Sequence, residues 1–119
     1  MIECKNKQRV INQGVEFGFR AYGSGLKEGT IYTACLYYNA NTAGYRQTTD
    51  DTCRLATAVV NGNEIERPTC VFIFTAEQTL ALKVGNAILE IYDTTTKKQM
   101  FYDDNYATVR KTSLTPTNE

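Results

Sequence analysis

Several segments of the chain alternate between apolar and polar side chains with a period of two, the pattern of half-buried β-strands. The clearest is Val10–Arg20, in which Val15, Phe17 and Phe19 are the apolar members and Gly14 marks an interruption. Further strands are predicted over Ile31–Tyr38, Leu55–Val60, Val71–Phe74, Ala87–Tyr92, Gln99–Tyr102 and Tyr106–Arg110. The chain therefore reads as a succession of short strands.

Polar segments separate these strands. Asn61-Gly62 is a hairpin signal, and the returning strand Asn63–Glu66 is expected to be short because Pro68 cannot donate a hydrogen bond to a sheet. Asp103–Asn105 predicts a bulge or a kink between the last two strands. Asn39–Thr52, the longest internal polar stretch, is either one exposed loop or a loop with a weak edge strand at 45–49.

The segment Val71–Asp93 predicts a strand, a short helix and a second strand. Thr75 is a candidate N-cap, and Gln78 completes the capping-box pattern. Gly85 is placed to end the helical turn in a left-handed conformation. The whole unit is expected to be a compact crossover between two core strands.

Seven or eight short strands with one short helix predict a mostly-β fold, an immunoglobulin-like two-sheet antiparallel β-sandwich. Residues 10–111 are expected to form this single domain. Residues 1–9 are expected to be a polar N-terminal arm or a frayed edge, and 112–119 a polar, extended C-terminal tail. The predicted core consists of Phe17, Phe19, Leu36, Phe72, Phe74, Leu89 and Ile91.

Composition narrows the classes of partner. The chain has 119 residues, with 13 basic and 13 acidic side chains that cancel, so we expect neither nucleic acid nor a membrane as a partner. No apolar run approaches the roughly 18–20 residues of a membrane helix, and no signal peptide is visible. Synthesis in a cytoplasm is therefore expected.

The four cysteines (Cys4, Cys35, Cys53 and Cys70) are widely spaced, and the sequence contains no histidine. A zinc site is not expected from this set. In a reducing compartment, buried free thiols are favoured over the alternative of two disulfides.

Catalytic candidates are weak. Without histidine the commonest general base is missing, and Ser24 and Ser113 lie outside any nucleophile elbow. The carboxylate pairs Asp50-Asp51 and Asp103-Asp104 are adjacent in sequence, so on a strand their side chains point to opposite faces. Solvated turn roles are favoured for both pairs. Asp93, Asp103, Asp104 and Asn105 offer the oxygen ligands that calcium prefers, but the sequence has no D-x-D-x-D-G loop. We expect no enzyme, no cofactor and no metal.

Protein contacts are the better prediction. Among eight tyrosines, Tyr32, Tyr37, Tyr38 and Tyr92 are expected to pack in the core, with surface contact as the alternative. Tyr45 and Arg46, in the long loop, are of the types enriched at interface hot spots. Thr112, Leu114 and Pro116 of the tail are further candidate contact residues, because extended tails commonly become ordered when they bind a neighbouring protein.

Three segments resemble a known family. Ile11–Phe19 resembles an opening strand of the form I-x-Q-G-x-x-F-x-F, and Phe72–Gly85 resembles a strand leading into T-x-E-Q-T-x-x-L-x-x-G. Ala87–Asp93 and a closing strand complete the order. Together they are similar to the β-sandwich module at the N-terminus of phage baseplate upper proteins and of related fibre and virion proteins.

This resemblance implies a non-enzymatic virion protein in multiple copies. The expected role is a capsid decoration or head-fibre component, or a tail or baseplate adaptor, that contacts other virion subunits and forms a homo-oligomer or multi-copy assembly. The stalk that follows the module in that family is absent from this sequence. The alternative is a carbohydrate-binding module that contacts the host surface through the loop Asn39–Thr52.

Overall fold

The computed structural model describes residues 2–5, 9–38 and 45–116. These residues form two packed β-sheets with a single short helix, which confirms the predicted two-sheet sandwich. The elements are β1 (Glu3–Lys5), β2 (Val10–Asn12), β3 (Phe17–Tyr22), β4 (Ile31–Tyr37), β5 (Gln47–Thr52), β6 (Arg54–Val60), β7 (Asn63–Phe74), α1 (Ala76–Leu80), β8 (Gly85–Asp93) and β9 (Gln99–Arg110).

The first sheet has the strand order β1-β3-β7-β6, and the second has the order β2-β9-β8-β4-β5. The pairings between these strands are antiparallel except that of β2 with β9, which is parallel. The immunoglobulin-like connectivity stays a prediction. The segment 1–9, expected to be an arm or a frayed edge, contributes the edge strand β1, whose Cys4 packs against the core.

The core lies between the sheets, where alternate side chains of the strands face each other. The side chains predicted to form it are all buried: Phe17, Phe19, Leu36, Phe72, Phe74, Leu89 and Ile91. Phe19 is at the centre of an aromatic cluster, with ring centroids 5.5 Å from both Phe72 and Tyr106. Val15, predicted to share this face, is instead exposed, because a turn through Gly14 precedes β3, which begins at Phe17.

The crossover between the two sheets begins as predicted from the sequence, with a capped helix. The Thr75 hydroxyl accepts from the Gln78 backbone N–H, and the Gln78 side chain accepts from the Thr75 N–H, which completes the capping box. The prediction for Gly85 is wrong in position. The helix ends at Leu80 with Ala81 as its C-cap, while Gly85 has φ +126° and begins β8.

The strand β7 is much longer than expected, and Pro68 does not end it. Pro68 stands opposite Leu55 of β6, while its carbonyl accepts from the Gly23 N–H on the other side at 3.2 Å. Since β3 already ends at Tyr22, a proline here removes no hydrogen bond between strands. The prediction of a short returning strand that ends before Pro68 is therefore wrong: β7 continues through Pro68 from Asn63 to Phe74.

Two further segments settle alternatives that the sequence leaves open. Part of the long polar stretch forms β5, the edge strand beside β4, so the loop carries a strand near its end; residues 39–44 lie outside the described residues. The bulge predicted at Asp103–Asn105 is confirmed. The register of β9 against β8 shifts between Ala87 and Leu89, opposite this segment.

The strand β6 and the first half of β7 form a hairpin that projects from the sandwich. Val60 and Asn63 flank a tight turn in which Asn61 and Gly62 both have positive φ, +52° and +80°. This is the type I′ geometry expected for Asn-Gly. No described strand of the second sheet covers the hairpin, and its side chains are mostly exposed.

Candidate functional site

The described part of the C-terminal segment, 112–116, is folded against the sandwich and is not extended as predicted. The Thr112 hydroxyl donates to the carbonyl of Gln13 at 2.7 Å, and the Thr115 hydroxyl donates to Gln13 Oε1 at the same distance. Leu114, although exposed, lies over Gly14 so closely that a Cβ added at Gly14 would come within 2.8 Å of its own Cβ. The segment up to Pro116 thereby has a defined position beside β2.

Gln13 connects this segment to the crossover. Its side chain is only 5% exposed, and its Nε2 donates to the carbonyl of Leu82 at 2.8 Å. A second contact supports the same junction, because Thr79 of α1 accepts from the Gly14 N–H and donates to the carbonyl of Val15. The end of α1, the turn after β2 and the C-terminal segment are therefore held as one unit.

A cleft of about 600 Å³ opens between the end of α1 and the C-terminal segment. Tyr45, Lys83, Lys111, Thr112 and Pro116 are among its lining residues. Tyr45 is 41% exposed, and the Lys83 ammonium lies 5.3 Å from the centre of its ring. None of the described residues that line the cleft is acidic.

This arrangement suits binding. An exposed tyrosine supplies a flat apolar surface with a hydroxyl, and the lysines supply positive charge that no described lining residue neutralises. Lys83 also lies 5.4 Å from the centre of the Tyr38 ring, which limits the positions that its side chain can adopt. The chemistry suits a partner surface that carries carboxylates or other anionic groups.

The predicted contact residues thus divide into two sets. Tyr45, Thr112 and Pro116 come together in the cleft, and Leu114 lies beside it. Arg46 does not join them, although it follows Tyr45 in sequence. Its guanidinium lies 4.6 Å from the centre of the Tyr37 ring and 3.5 Å from Glu90.

The residues that sequence reasoning missed are Gln13, Lys83 and Lys111. Gln13 is visible in the sequence as a polar residue between the apolar Ile11 and Gly14, a position where a long amide can tie a turn. The lysines give no signal of their own, because only the tertiary fold brings the end of α1 next to the C-terminal segment.

The tyrosines expected in the core are distributed more widely. Tyr32 and Tyr37 are buried, while Tyr38 and Tyr92 are half-buried. Burial, and secondarily the negative charge of Glu90, raises the pKa of the Tyr37 hydroxyl. These rings serve packing and stacking, and Tyr45 is the ring of the loop segment that is open to a partner.

The carboxylates are occupied in local structure. Asp50 accepts from the Thr33 hydroxyl at 2.7 Å, and Asp51 accepts from the Val71 N–H at 2.7 Å. Asp93 accepts from backbone N–H groups of its own turn, and Asp103 pairs with Arg9 at 2.7 Å. Within residues 2–5, 9–38 and 45–116, no group of three or more metal-ligating side chains is brought together.

The cysteines are free thiols in the structure, and three of them are buried. Cys53 immediately precedes β6, and the Cys70 thiol of β7 donates to the carbonyl of Asp51 at 3.9 Å. Burial raises the pKa of Cys35 to about 11, and burial with the charge of Asp103 raises that of Cys4 to about 12. Such thiols stay protonated at neutral pH and are poor nucleophiles.

A second concave surface lies on the outer face of the first sheet. This groove of about 760 Å³ is lined in part by Lys5, Arg20 and Arg67, and the Arg67 guanidinium lies 3.6 Å from the centre of the Tyr22 ring. The formal net charge of zero gives no indication of this basic face. The alternation of side chains along neighbouring strands places Lys5, Arg20 and Arg67 on the same side.

No protein-family model matches this chain, and no curated protein matches it at a significant level. Across the described residues, no helix is long and apolar enough to cross a membrane.

Proposed function

We propose that this chain is a non-enzymatic structural protein of a bacteriophage virion, an accessory module present in many copies that docks onto other virion subunits. It serves as a capsid decoration or head-fibre component, or as a tail or baseplate adaptor, after synthesis in the host cytoplasm. The resemblance of Ile11–Phe19 and Phe72–Gly85 to phage virion modules supports this assignment. So does the sandwich fold, in which the helix α1 and its capping box form the crossover between sheets.

The observation that carries the docking role is the convergence of Tyr45 and the C-terminal segment on one cleft. The buried Gln13 fixes the relative positions of its two walls. A prearranged surface loses little conformational entropy on binding, which favours specific docking. Lys83 and Lys111 give the cleft a positive charge, so the partner subunit is expected to present carboxylates.

The test is incorporation into particles. The double variant Tyr45→Ala/Lys83→Ala removes the ring and one cation of the cleft without touching the hydrogen bonds of Gln13. Virions assembled with this variant as the only source of the protein are expected to contain at least about tenfold less of it, since interface anchors of this kind carry more than about 1.4 kcal/mol. The measurement is quantitative mass spectrometry of purified particles.

Lys98→Ala is the matched control, because Lys98 is an exposed lysine in the turn between β8 and β9, away from the cleft. It is expected to be incorporated like the parent. Equal incorporation of both variants would place the docking surface elsewhere. If the parent protein itself is missing from purified virions, the virion assignment is wrong.

A carbohydrate-binding module is the second candidate, and the exposed Tyr45 ring at the cleft supports it. Sugar rings stack on such aromatic faces while hydroxyl and amide groups in the cleft hydrogen-bond to them. Binding of the isolated domain to a glycan array, lost in Tyr45→Ala and retained in Lys98→Ala, would favour this function. If the parent protein binds no glycan on the array, the carbohydrate-binding function is ruled out.

A further inference from the structure

The strand β6 is an unprotected edge of the first sheet. The edge strands β1 and β2 are only 3 residues long, and the edge strand β5 carries Asp50 and Asp51. In contrast, β6 has 7 residues, Arg54-Leu-Ala-Thr-Ala-Val-Val60, with a single charge at its first position and no proline. No described residue pairs with its outer side. Natural sheets normally block such an edge because it invites pairing with another strand.

The direction of the free hydrogen-bonding groups follows from the hairpin. Val60 and Asn63 flank the two-residue turn and form the hydrogen-bonded pair that closes it. Hydrogen-bonded and non-hydrogen-bonded pairs then alternate along the ladder. Leu55, Thr57 and Val59 therefore direct their backbone N–H and C=O groups away from β7. Pro68 stands opposite Leu55 in a pair that needs no hydrogen bond between β6 and β7, which agrees with its lack of an N–H.

These residues are symmetric about Thr57. If a second copy of β6 lies antiparallel to the first with Thr57 opposite Thr57, Leu55 pairs with Val59 of the other copy and Val59 pairs with Leu55. Each N–H and C=O that points outward then meets its partner. Leu55 and Val59, which are 43% and 69% exposed, become neighbours across the new strand pair.

The charges permit this pairing. Arg54, the one charged residue of β6, stands opposite Val60 of the second copy, so the two arginines are about 20 Å apart along the paired strands. That distance exceeds the screening length at physiological salt. Since each copy has one β6, the association is complete at two copies and does not extend into a fibre.

We infer that two copies of this chain associate through β6, joining their first sheets into one continuous sheet with Thr57 on the two-fold axis. The hydrogen-bonding groups, the register and the charge placement all fit a second copy of β6. This dimer requires neither the cleft nor a virion partner, so its test is separate from that of the proposed function.

Amide hydrogen exchange provides the first test on the full chain, measured by NMR across a range of protein concentrations. The amides of Ala56 and Ala58 bond to β7 and are expected to be protected at every concentration. Those of Leu55, Thr57 and Val59 are expected to become at least about tenfold slower as the dimer forms, because bonded amides exchange only when the pair opens. A chain that stays monomeric throughout, with these three amides unprotected, overturns the inference.

Thr57→Pro tests the hydrogen bonds directly. The Thr57 N–H points outward, so proline there removes no bond to β7 and occupies the kind of edge position where proline is tolerated. The dimer dissociation constant, measured by sedimentation velocity, is expected to rise by at least about tenfold, since the symmetric pair loses the bonds of both copies. Thr57→Ala, which keeps the N–H, is the matched control and is expected to dimerise like the parent.

A charge exchange tests the register. In Leu55→Lys/Val59→Lys, the introduced lysines face each other across the axis, and dimerisation is expected to be lost. In Leu55→Glu/Val59→Lys, each lysine faces a glutamate of the other copy, and dimerisation is expected to return. Both variants lose the same apolar side chains, and both place a lysine opposite Glu64 within the hairpin. A dimer that forms equally well in both variants would not use this pairing and would overturn the inference.

Discussion

The two halves of β7 belong to one strand but have different surroundings: residues 63–69 pair with β6, and residues 69–74 pair with β3. In the half that ends at Phe74, the second sheet covers one face, and Cys70, Phe72 and Phe74 are buried. In the half that begins at Asn63, the positions that continue this core face are Glu64, Glu66 and Pro68, whereas the apolar Ile65 lies on the opposite face and is 42% exposed. Along this face the residue type therefore follows the surroundings: it is apolar where the second sheet covers the strand and charged, at Glu64 and Glu66, in the hairpin.

The two halves of β7 are also stabilised by different interactions. The hairpin half is held by its own turn and by cross-strand pairs, while the sandwich half is held by apolar burial between sheets. The hairpin nevertheless carries exposed apolar side chains on both of its faces. Leu55 and Val59 lie on one face of the hairpin, and a second copy paired with β6 can cover them.

The largest contrast is expected from truncating one side chain in each half of β7. Phe72→Ala leaves a cavity in a fully buried site and is expected to lower the free energy of unfolding by about 3–5 kcal/mol. Ile65→Ala, in the hairpin half, is expected to lower it by less than about 0.5 kcal/mol, as surface substitutions usually do. Urea unfolding at a concentration where the chain is monomeric measures both. Equal losses would mean that the hairpin is part of the core.

A smaller contrast is expected from two glycines with nearly the same backbone conformation. Gly14 and Gly62 have φ of +81° and +80°, so alanine is strained at either position by about 1 kcal/mol. A Cβ at Gly62 meets nothing within 4 Å, whereas one at Gly14 would collide with Leu114. Gly14→Ala is therefore expected to cost about 2 kcal/mol or more, against about 1 for Gly62→Ala.

Thermal unfolding of the two glycine variants checks this ordering. Gly14→Ala is also expected to release the C-terminal segment, which limited proteolysis would detect as faster cleavage after Lys111. If Gly62→Ala is the more destabilising of the two, the hairpin turn contributes more to the fold than its exposure indicates.

The parts of the fold that follow from local sequence were predictable. The capping box at Thr75 and Gln78 involves residues three apart, and the Asn61-Gly62 turn is a two-residue signal. The alternation of apolar residues predicts the central strands for the same reason. Each of these patterns requires only information from within a few residues.

The parts that were missed depend on distant neighbours. Pro68 is accommodated only because β3 has already ended, and the C-terminal segment is folded only because Gln13 accepts its hydrogen bonds. β5 has a polar sequence, and its pairing with β4 supplies the order that its composition does not. The cleft follows the same rule, since Lys83 and Tyr45 meet through the tertiary fold.

Alkaline pH is expected to destabilise the sandwich through its thiols. Burial raises the pKa of Cys35 to about 11, and Arg46 and Glu90 are the charged groups that face it. Because the folded state holds the proton more tightly than the unfolded chain, this stabilisation is complete below about pH 9 and is lost as the pH rises toward 11. The free energy of unfolding is expected to fall by about 1 kcal/mol for each such thiol between pH 7.5 and 10.

Cys35→Ala checks the origin of that loss. It is expected to reduce the difference in stability between the two pH values by about 1 kcal/mol, whereas Ile65→Ala in the hairpin keeps the full difference. An unchanged pH dependence in Cys35→Ala would assign the effect to other groups, among them Tyr106, whose pKa burial also raises.

The smallest effect is expected from reductant, which should leave the melting temperature unchanged. Cys53 and Cys70 are free thiols, and the Cys70 thiol of β7 contacts β5 through a hydrogen bond to the Asp51 carbonyl and not through a covalent link. Reduction therefore removes no loop constraint from the unfolded chain, the main way in which a disulfide stabilises. Scanning calorimetry with and without excess reductant measures this, with Cys53→Ala/Cys70→Ala as the variant that cannot form the bond. A fall of many degrees in the parent alone would show that the pair is oxidised, and that a covalent link at the base of the hairpin holds the two halves of β7 in their different surroundings.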